Sequence, residues 1–301
     1  MECRTGCLRS IGRNSMFEML QYEFVRNAIA AGMLTSIACG IIGVYIIIKR
    51  IVFISGGIAH ASFGGIGLGY FLGMNPVIML LPFSILSAMA MFFIERKSRL
   101  SGDTAIGILW AAGMAAGVLF IYLTPGYAPD LMTYLFGNIL TVPREDLMLM
   151  AMIDLVMIAI VWLLYKEFLA VCFDEEFARM TGLRSDLVYL LMLCMIAMTV
   201  VVMIKTVGIV LIIALLTIPA AISRMFVTEV KAMMALSTLI GAAFTLTGLY
   251  LSYLFDLPSG ATIVLTLAAA YVISTAVMGR QFIATPVKNI VESPIFRSKQ
   301  P

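Results

Sequence analysis

Residues 187–204 read LVYLLMLCMIAMTVVVMI and residues 206–223 read TVGIVLIIALLTIPAAIS, with the single charged side chain of Lys205 between them. An α-helix rises 1.5 Å per residue, so crossing a hydrocarbon core of about 30 Å takes roughly 20 apolar residues. Both runs are near that length, and neither has the polar face that a helix on a soluble domain shows to water. They read as two consecutive membrane spans, with Lys205 marking a tight turn between them.

The same pattern extends in both directions. Residues 27–48, 104–129, 232–255 and 257–279 also lack Asp, Glu, Lys and Arg, and between Ile51 and Ile94 the one histidine, His60, stands without any of these four. Of 301 residues 62% are hydrophobic and 12% charged, against about half and a quarter in a soluble domain. That excludes a soluble enzyme, and spans of this length exclude a membrane β-barrel, whose strands alternate over about ten residues. The net charge of +3 gives no reason to expect nucleic acid. The fold class is an all-α polytopic membrane protein of nine spans: 24–48, 54–73, 77–94, 104–123, 147–165, 187–204, 206–223, 232–254 and 260–279.

The breaks carry charge or helix-stopping residues, and Lys and Arg in short loops set orientation. Lys49/Arg50 and Arg96/Lys97/Arg99 fall on one side, two spans apart, which makes that side cytoplasmic. Residues 166–186 and the C-terminus follow onto it, and the N-terminus falls outside. Residues 131–141 are too short to span and read as a re-entrant or lateral helix on the outer side. Residues 1–15 read as an unstructured leader with the start at Met16, residues 16–285 as the transmembrane domain, and residues 286–301 as a cytoplasmic tail. The leader lacks the apolar core of a signal peptide.

Few residues can carry chemistry. His60 lies well inside the second span, where an ionisable group is costly and functional by default. Gly56 and Gly64 sit at i−4 and i+4 on its face, leaving a slot in which a ligand or a backbone can come close; helix packing is the plainer account. A neutral imidazole is a common transition-metal ligand. Asp154, in the fifth span, either pairs with His60 or lines the path. Gly65, Gly69 and Gly73 on the second span and Gly113 and Gly117 on the fourth make small-xxx-small ladders that let helices approach. The 23 methionines have no fixed spacing and read as apolar filler. Cys39, Cys172 and Cys194 are packing thiols, and Cys3 and Cys7 make at most half a metal site.

There is no G-x-x-x-x-G-K-[ST] phosphate loop, no H-E-x-x-H and no Cys/His cluster. Two segments expected in the cytoplasm suit a partner's groove instead. Residues 173–182 (FDEEFARMTG) form a short helix capped by Asp174, with Glu175 in its first turn, Arg179 further on and Gly182 ending it. After Pro219 the chain reads Ala220, Ala221, then on through Arg224 and Met225 to Glu229 and Lys231, a short amphipathic helix parallel to the membrane.

Several runs in order then make the chain recognisable: GVYIIIKR at 43–50, IAHASFGG at 58–65, DTAIGI at 103–108, YLFGNIL at 134–140, FDEEFA at 173–178 and VGIV at 207–210 leading to PAA at 219–221. It resembles the integral permease subunits of the ABC importers for zinc, manganese and iron over residues 16–285. The resemblance implies the vitamin B12-importer-like (type II) fold, a homodimer around a central path, a separate cytoplasmic ATPase and an extracytoplasmic metal-binding protein. It implies a multi-pass protein of a prokaryotic cell membrane that binds no permanent cofactor and carries a divalent ion, Zn²⁺ or Mn²⁺ first and Fe²⁺ third. Residues 219–231 match the region coupled to the ATPase. His60 matches the histidine of the second-span motif, in which an Asp four residues earlier completes a metal-contacting pair. Here that position is Gly56, so either Asp154 completes a site or the ion passes with little direct coordination. A gradient-driven secondary transporter or channel is the competing class; it needs a chain of intramembrane carboxylates, and Asp154 is the one carboxylate within a span.

Overall fold

The computed structural model describes residues 22–97, 102–125 and 137–284. The leader, the start at Met16, the tail from 286 and residues 131–136 of the lateral segment lie outside them. The elements are α1 (Glu23–Lys49), α2 (Val52–Ala61), α3 (Phe63–Phe71), α4 (Pro76–Lys97), α5 (Gly102–Leu123), α6 (Arg144–Leu163), α7 (Tyr165–Phe173), α8 (Glu175–Met180), α9 (Ser185–Val207), α10 (Ile209–Phe226), α11 (Val230–Phe255) and α12 (Ser259–Ala284). Among the described residues nine helices are long and apolar enough to cross a membrane, α2 and α3 together making the second.

Two spans hold the centre. α1 packs on α6, α9, α10 and α11, while α9 packs on α4, α2 and α6. Their small residues explain the close contact: a side chain at Gly43 would collide with the Leu216 carbonyl, and one at Gly40 with the Thr238 backbone. The outer spans α4, α5, α6 and α12 are mostly exposed within one chain, as helices are that meet lipid or a second copy.

The ladder of the fourth span meets the second span, but at Ala61, Phe63 and Gly67 and not at the second span's own ladder. A Cβ on Gly113 would lie 2.5 Å from the Ala61 Cα, and one on Gly67 would lie 2.8 Å from the Gly117 Cα. Gly65 and Gly69 press on α4, against Leu80 and Pro76, whereas Gly73 (φ +64°) turns the chain beyond the helix. The second span is interrupted at Ser62, whose hydroxyl donates to the Ile58 carbonyl at 2.6 Å and lies 2.6 Å from the Ser84 hydroxyl of α4. A serine bonded to the preceding turn competes with the helix ladder, and here it pins the interruption to the third span.

Three boundaries depart from the sequence reading. α9 runs past Lys205 to Val207, and the turn falls on Gly208 (φ +83°, ψ 157°), a backbone only glycine adopts readily. α10 continues unbroken through Pro219 to Phe226, so no separate amphipathic helix follows the proline. A proline in a spanning helix frees one carbonyl and leaves the rest of the ladder intact. Of residues 131–141, the described part is a loop and a 3₁₀ turn at Ile139–Thr141, capped by the Asn138 side chain. Gly137 (φ +63°) is wedged against the Val207–Gly208 backbone.

Candidate functional site: a membrane-buried imidazole and a clamped end helix

His60 and Trp110 each stand eight residues past the first residue of their helices, α2 and α5. At 1.5 Å per residue both lie about 12 Å in from the same end. Their rings stack, with centroids 4.0 Å apart and planes 8° apart. The Trp110 indole N–H donates to the Met114 sulfur at 3.0 Å. His60 is half-buried, and its Nδ1 is buried without a hydrogen-bond partner. The slot expected on its face is open on one side only. A Cβ at Gly56 would meet nothing nearer than Ile213 at 3.9 Å, but one at Gly64 would strike the Phe83 ring at 2.4 Å. Trp110 is the site residue that sequence reasoning passed over. The signal was its equal depth with His60, on a span whose glycines allow a close helix contact.

Asp154 is 3% exposed, in the stripe of α6 with Met150 and Met157 that faces α1 and α9. Neither carboxyl oxygen has a hydrogen-bond partner. It is not joined to His60 by a hydrogen bond, and among the described residues no three His, Cys, Asp or Glu side chains gather into a metal cage. A path lined by one imidazole can hold an ion briefly and let it go, as conduction requires.

At the Lys- and Arg-rich end, α8 forms as read. Asp174 accepts from the Phe177 N–H at 2.9 Å, and the chain turns out at Gly182 (φ +88°). Glu175 clamps this helix to the bundle. Lys49 at the end of α1 donates to it at 2.8 Å and to the Val171 carbonyl at 2.9 Å, and Arg96 at the end of α4 donates to its other oxygen. Asp186, at the start of α9, pairs with Arg96 at 3.1 Å and Arg179 at 3.0 Å. Burial alone would raise the Glu175 carboxyl, but the hydrogen bonds and charges of Lys49 and Arg96 outweigh it and hold it below its ordinary value. With Glu175 held inward, α8 presents Phe177 (58% exposed) and Met180 (78% exposed) outward.

The second segment stands beside it. Phe173 next to α8 and Arg224, Val227 and Thr228 beyond Pro219 line one cleft of about 590 Å³, with Lys49 and Arg50 on its wall. Arg224 donates to the Ile47 carbonyl at 3.1 Å. Pro219 and Ala220 are buried, Ala221 and Met225 half-buried, and Arg224 and Glu229 exposed. The structure therefore brings the two segments to one end of the molecule, with Arg224 to Glu229 as the accessible part of the second. Lys49 and Arg96 as partners of Glu175 were missed, although the charge reading had put them on its side.

The sequence pattern of the ABC 3 transport family matches residues 21–278. An uncharacterized membrane protein of Synechocystis, slr2045, is 51% identical over 90% of this chain and 97% of its own length. The manganese transport system membrane protein MntC of Listeria monocytogenes is 34% identical over 85% of this chain and 91% of its own. Among solved structures, PsaBC from Streptococcus pneumoniae in complex with Fab has a chain superimposing with a TM-score of 0.78 at 30% identity, over 86% of this chain and 94% of that one.

Proposed function

The chain belongs to the ABC 3 transport family, whose members include metal-transport permeases, and on that premise we propose that it forms the membrane path of an ATP-driven importer of a divalent transition metal. Mn²⁺ is the first cargo to test because relatives in Listeria are named for manganese transport; Zn²⁺ comes next and Fe²⁺ third. Two copies enclose the path, His60 contacts the ion in transit, and an extracytoplasmic binding protein delivers it. The end bearing Lys49, Arg96 and α8 faces the cytoplasm, with the C-terminus on the same side.

The observation that carries this reading is α8: a helix exposing Phe177 and Met180, yet tied through Glu175 to the ends of α1 and α4 and through Arg179 and Asp186 to α9. A motor protein seated on it, with Arg224 and Glu229 at the edge of its seat, would move spans that reach the His60 level. That is differential contact of the kind a conformational bias requires. Among the described residues no carboxylate chain supports gradient coupling, since Asp154 stands apart from His60 without a hydrogen-bonded partner.

The test is uptake of Mn²⁺, Zn²⁺ and Fe²⁺ by cells stripped of their own importers and expressing this chain with a cognate ATPase and binding protein. Uptake abolished by a catalytically dead ATPase supports the proposal, and uptake that survives it favours a gradient-driven transporter. His60→Ala is expected to keep the assembled complex and lose at least tenfold in uptake. Wild-type uptake by that variant would reduce His60 to packing.

A further inference from the structure

A second cavity, about 910 Å³, lies away from His60, between the first, fifth and eighth spans. Its inner end is apolar, walled by Ile41 of α1, Ile158 of α6 and Leu239 of α11. Its outer end, on the side of Lys49 and α8, carries Lys166 and Lys231. Both are exposed and neither is in an ion pair among the described residues. The Lys231 ammonium stands 5.2 Å from the centre of the Tyr165 ring, and Trp162 beside it is 80% exposed. Glu167 is the one carboxylate on the lining, so the rim keeps an excess positive charge.

These features sort by depth as a phospholipid does. Leu239 is eight residues along α11 from Lys231, about 12 Å at 1.5 Å per residue, close to the half-thickness of the hydrocarbon core. Trp and Tyr mark the level where headgroups meet chains. Two cations at that level, above a groove opening sideways from three spanning helices, match a phosphate headgroup and its acyl chains. We propose that this groove binds an anionic phospholipid of the cytoplasmic leaflet, its phosphate held by Lys166 and Lys231 and an acyl chain lying along Ile41, Ile158 and Leu239.

The test uses the full-length chain purified in mild detergent, offered equal amounts of phosphatidylglycerol and phosphatidylethanolamine, with bound lipids counted by native mass spectrometry. The wild type is expected to prefer phosphatidylglycerol. Lys166→Gln with Lys231→Gln is expected to lower that preference about fivefold per lysine. Ala235→Trp, on the groove wall, should reduce retention of both lipids. Thermal unfolding and elution volume identify any variant that fails to fold, and Ala235→Leu then replaces it. Equal binding of the two lipids by the wild type, or an unchanged preference in the lysine variant, overturns the proposal. So does a change of oligomeric state in Ala235→Trp with lipid retention unaltered, which would assign the groove to a second copy. Phosphatidylglycerol binding that arises only after residues 1–21 are deleted would assign it to that segment and also overturn it.

Discussion

If His60 contacts the ion as proposed, Gly56 decides how firmly it can be held there. A Cβ at Gly56 has 3.9 Å to its nearest neighbour outside the helix, so a side chain can leave the backbone at this position without a collision. The helical period puts it on the His60 face, one turn away. Gly56→Asp is therefore expected to fold and to gain a two-ligand site that the wild type lacks. A ligand at 100 times its Kd stabilises by about 2.7 kcal/mol. In a thermal unfolding series with Mn²⁺ the variant should rise by several degrees more than the wild type, and an equal response would show that position 56 does not face the ion. His60 was legible because a lone histidine in an apolar span is conspicuous. Trp110 was not, because its pairing with His60 depends on two helices 50 positions apart meeting at one depth, which composition does not record. Asp154 was legible as a residue and misleading as a partner: its place in a span said nothing of which face it takes, and it faces α1 and α9.

At the scale of the element, α8 could be read almost whole, since its cap, its acidic first turn and its terminating glycine are local signals. What holds it was legible only in outline, because the contact of Glu175 with Lys49 and Arg96 joins three distant segments. Glu175 has a lowered folded value, so the stability it contributes is present above its ordinary value of 4.5 and is lost as pH falls through the folded value. Glu175→Gln removes the charge and keeps the shape, at a cost of about 1–2 kcal/mol near pH 7. The gap in unfolding temperature between wild type and variant should close as pH is lowered from 7 to below 4. A gap that stays constant would mean the clamp is not ionic. The segment after Pro219 was misread for the opposite reason. A proline signals a break in water, but here the buried neighbours Leu216 and Ala220 hold the helix together on both sides of it.

At the scale of the molecule, nine spans follow from hydropathy because each must satisfy its backbone internally in lipid. Which exposed faces meet lipid and which would meet a second copy is not written in hydropathy, since both are apolar. The site supplies the discrimination. If His60 lines a path between two copies, the face of α5 that holds Trp110 must turn toward the partner. Met114 and Val118 extend that face at i+4 and i+8, and Val118 is half exposed. Trp162, beside the groove with the lysine rim, belongs to a different face and should meet lipid. In a variant with its five cysteines replaced, Val118→Cys is expected to cross-link two copies in the intact membrane, whereas Trp162→Cys is expected to remain monomeric on a denaturing gel. Cross-linking in the reverse pattern would put the groove at the interface and remove His60 from any path between copies. That outcome would defeat the lipid assignment together with the role given to His60, because both depend on which side of the bundle the second copy occupies.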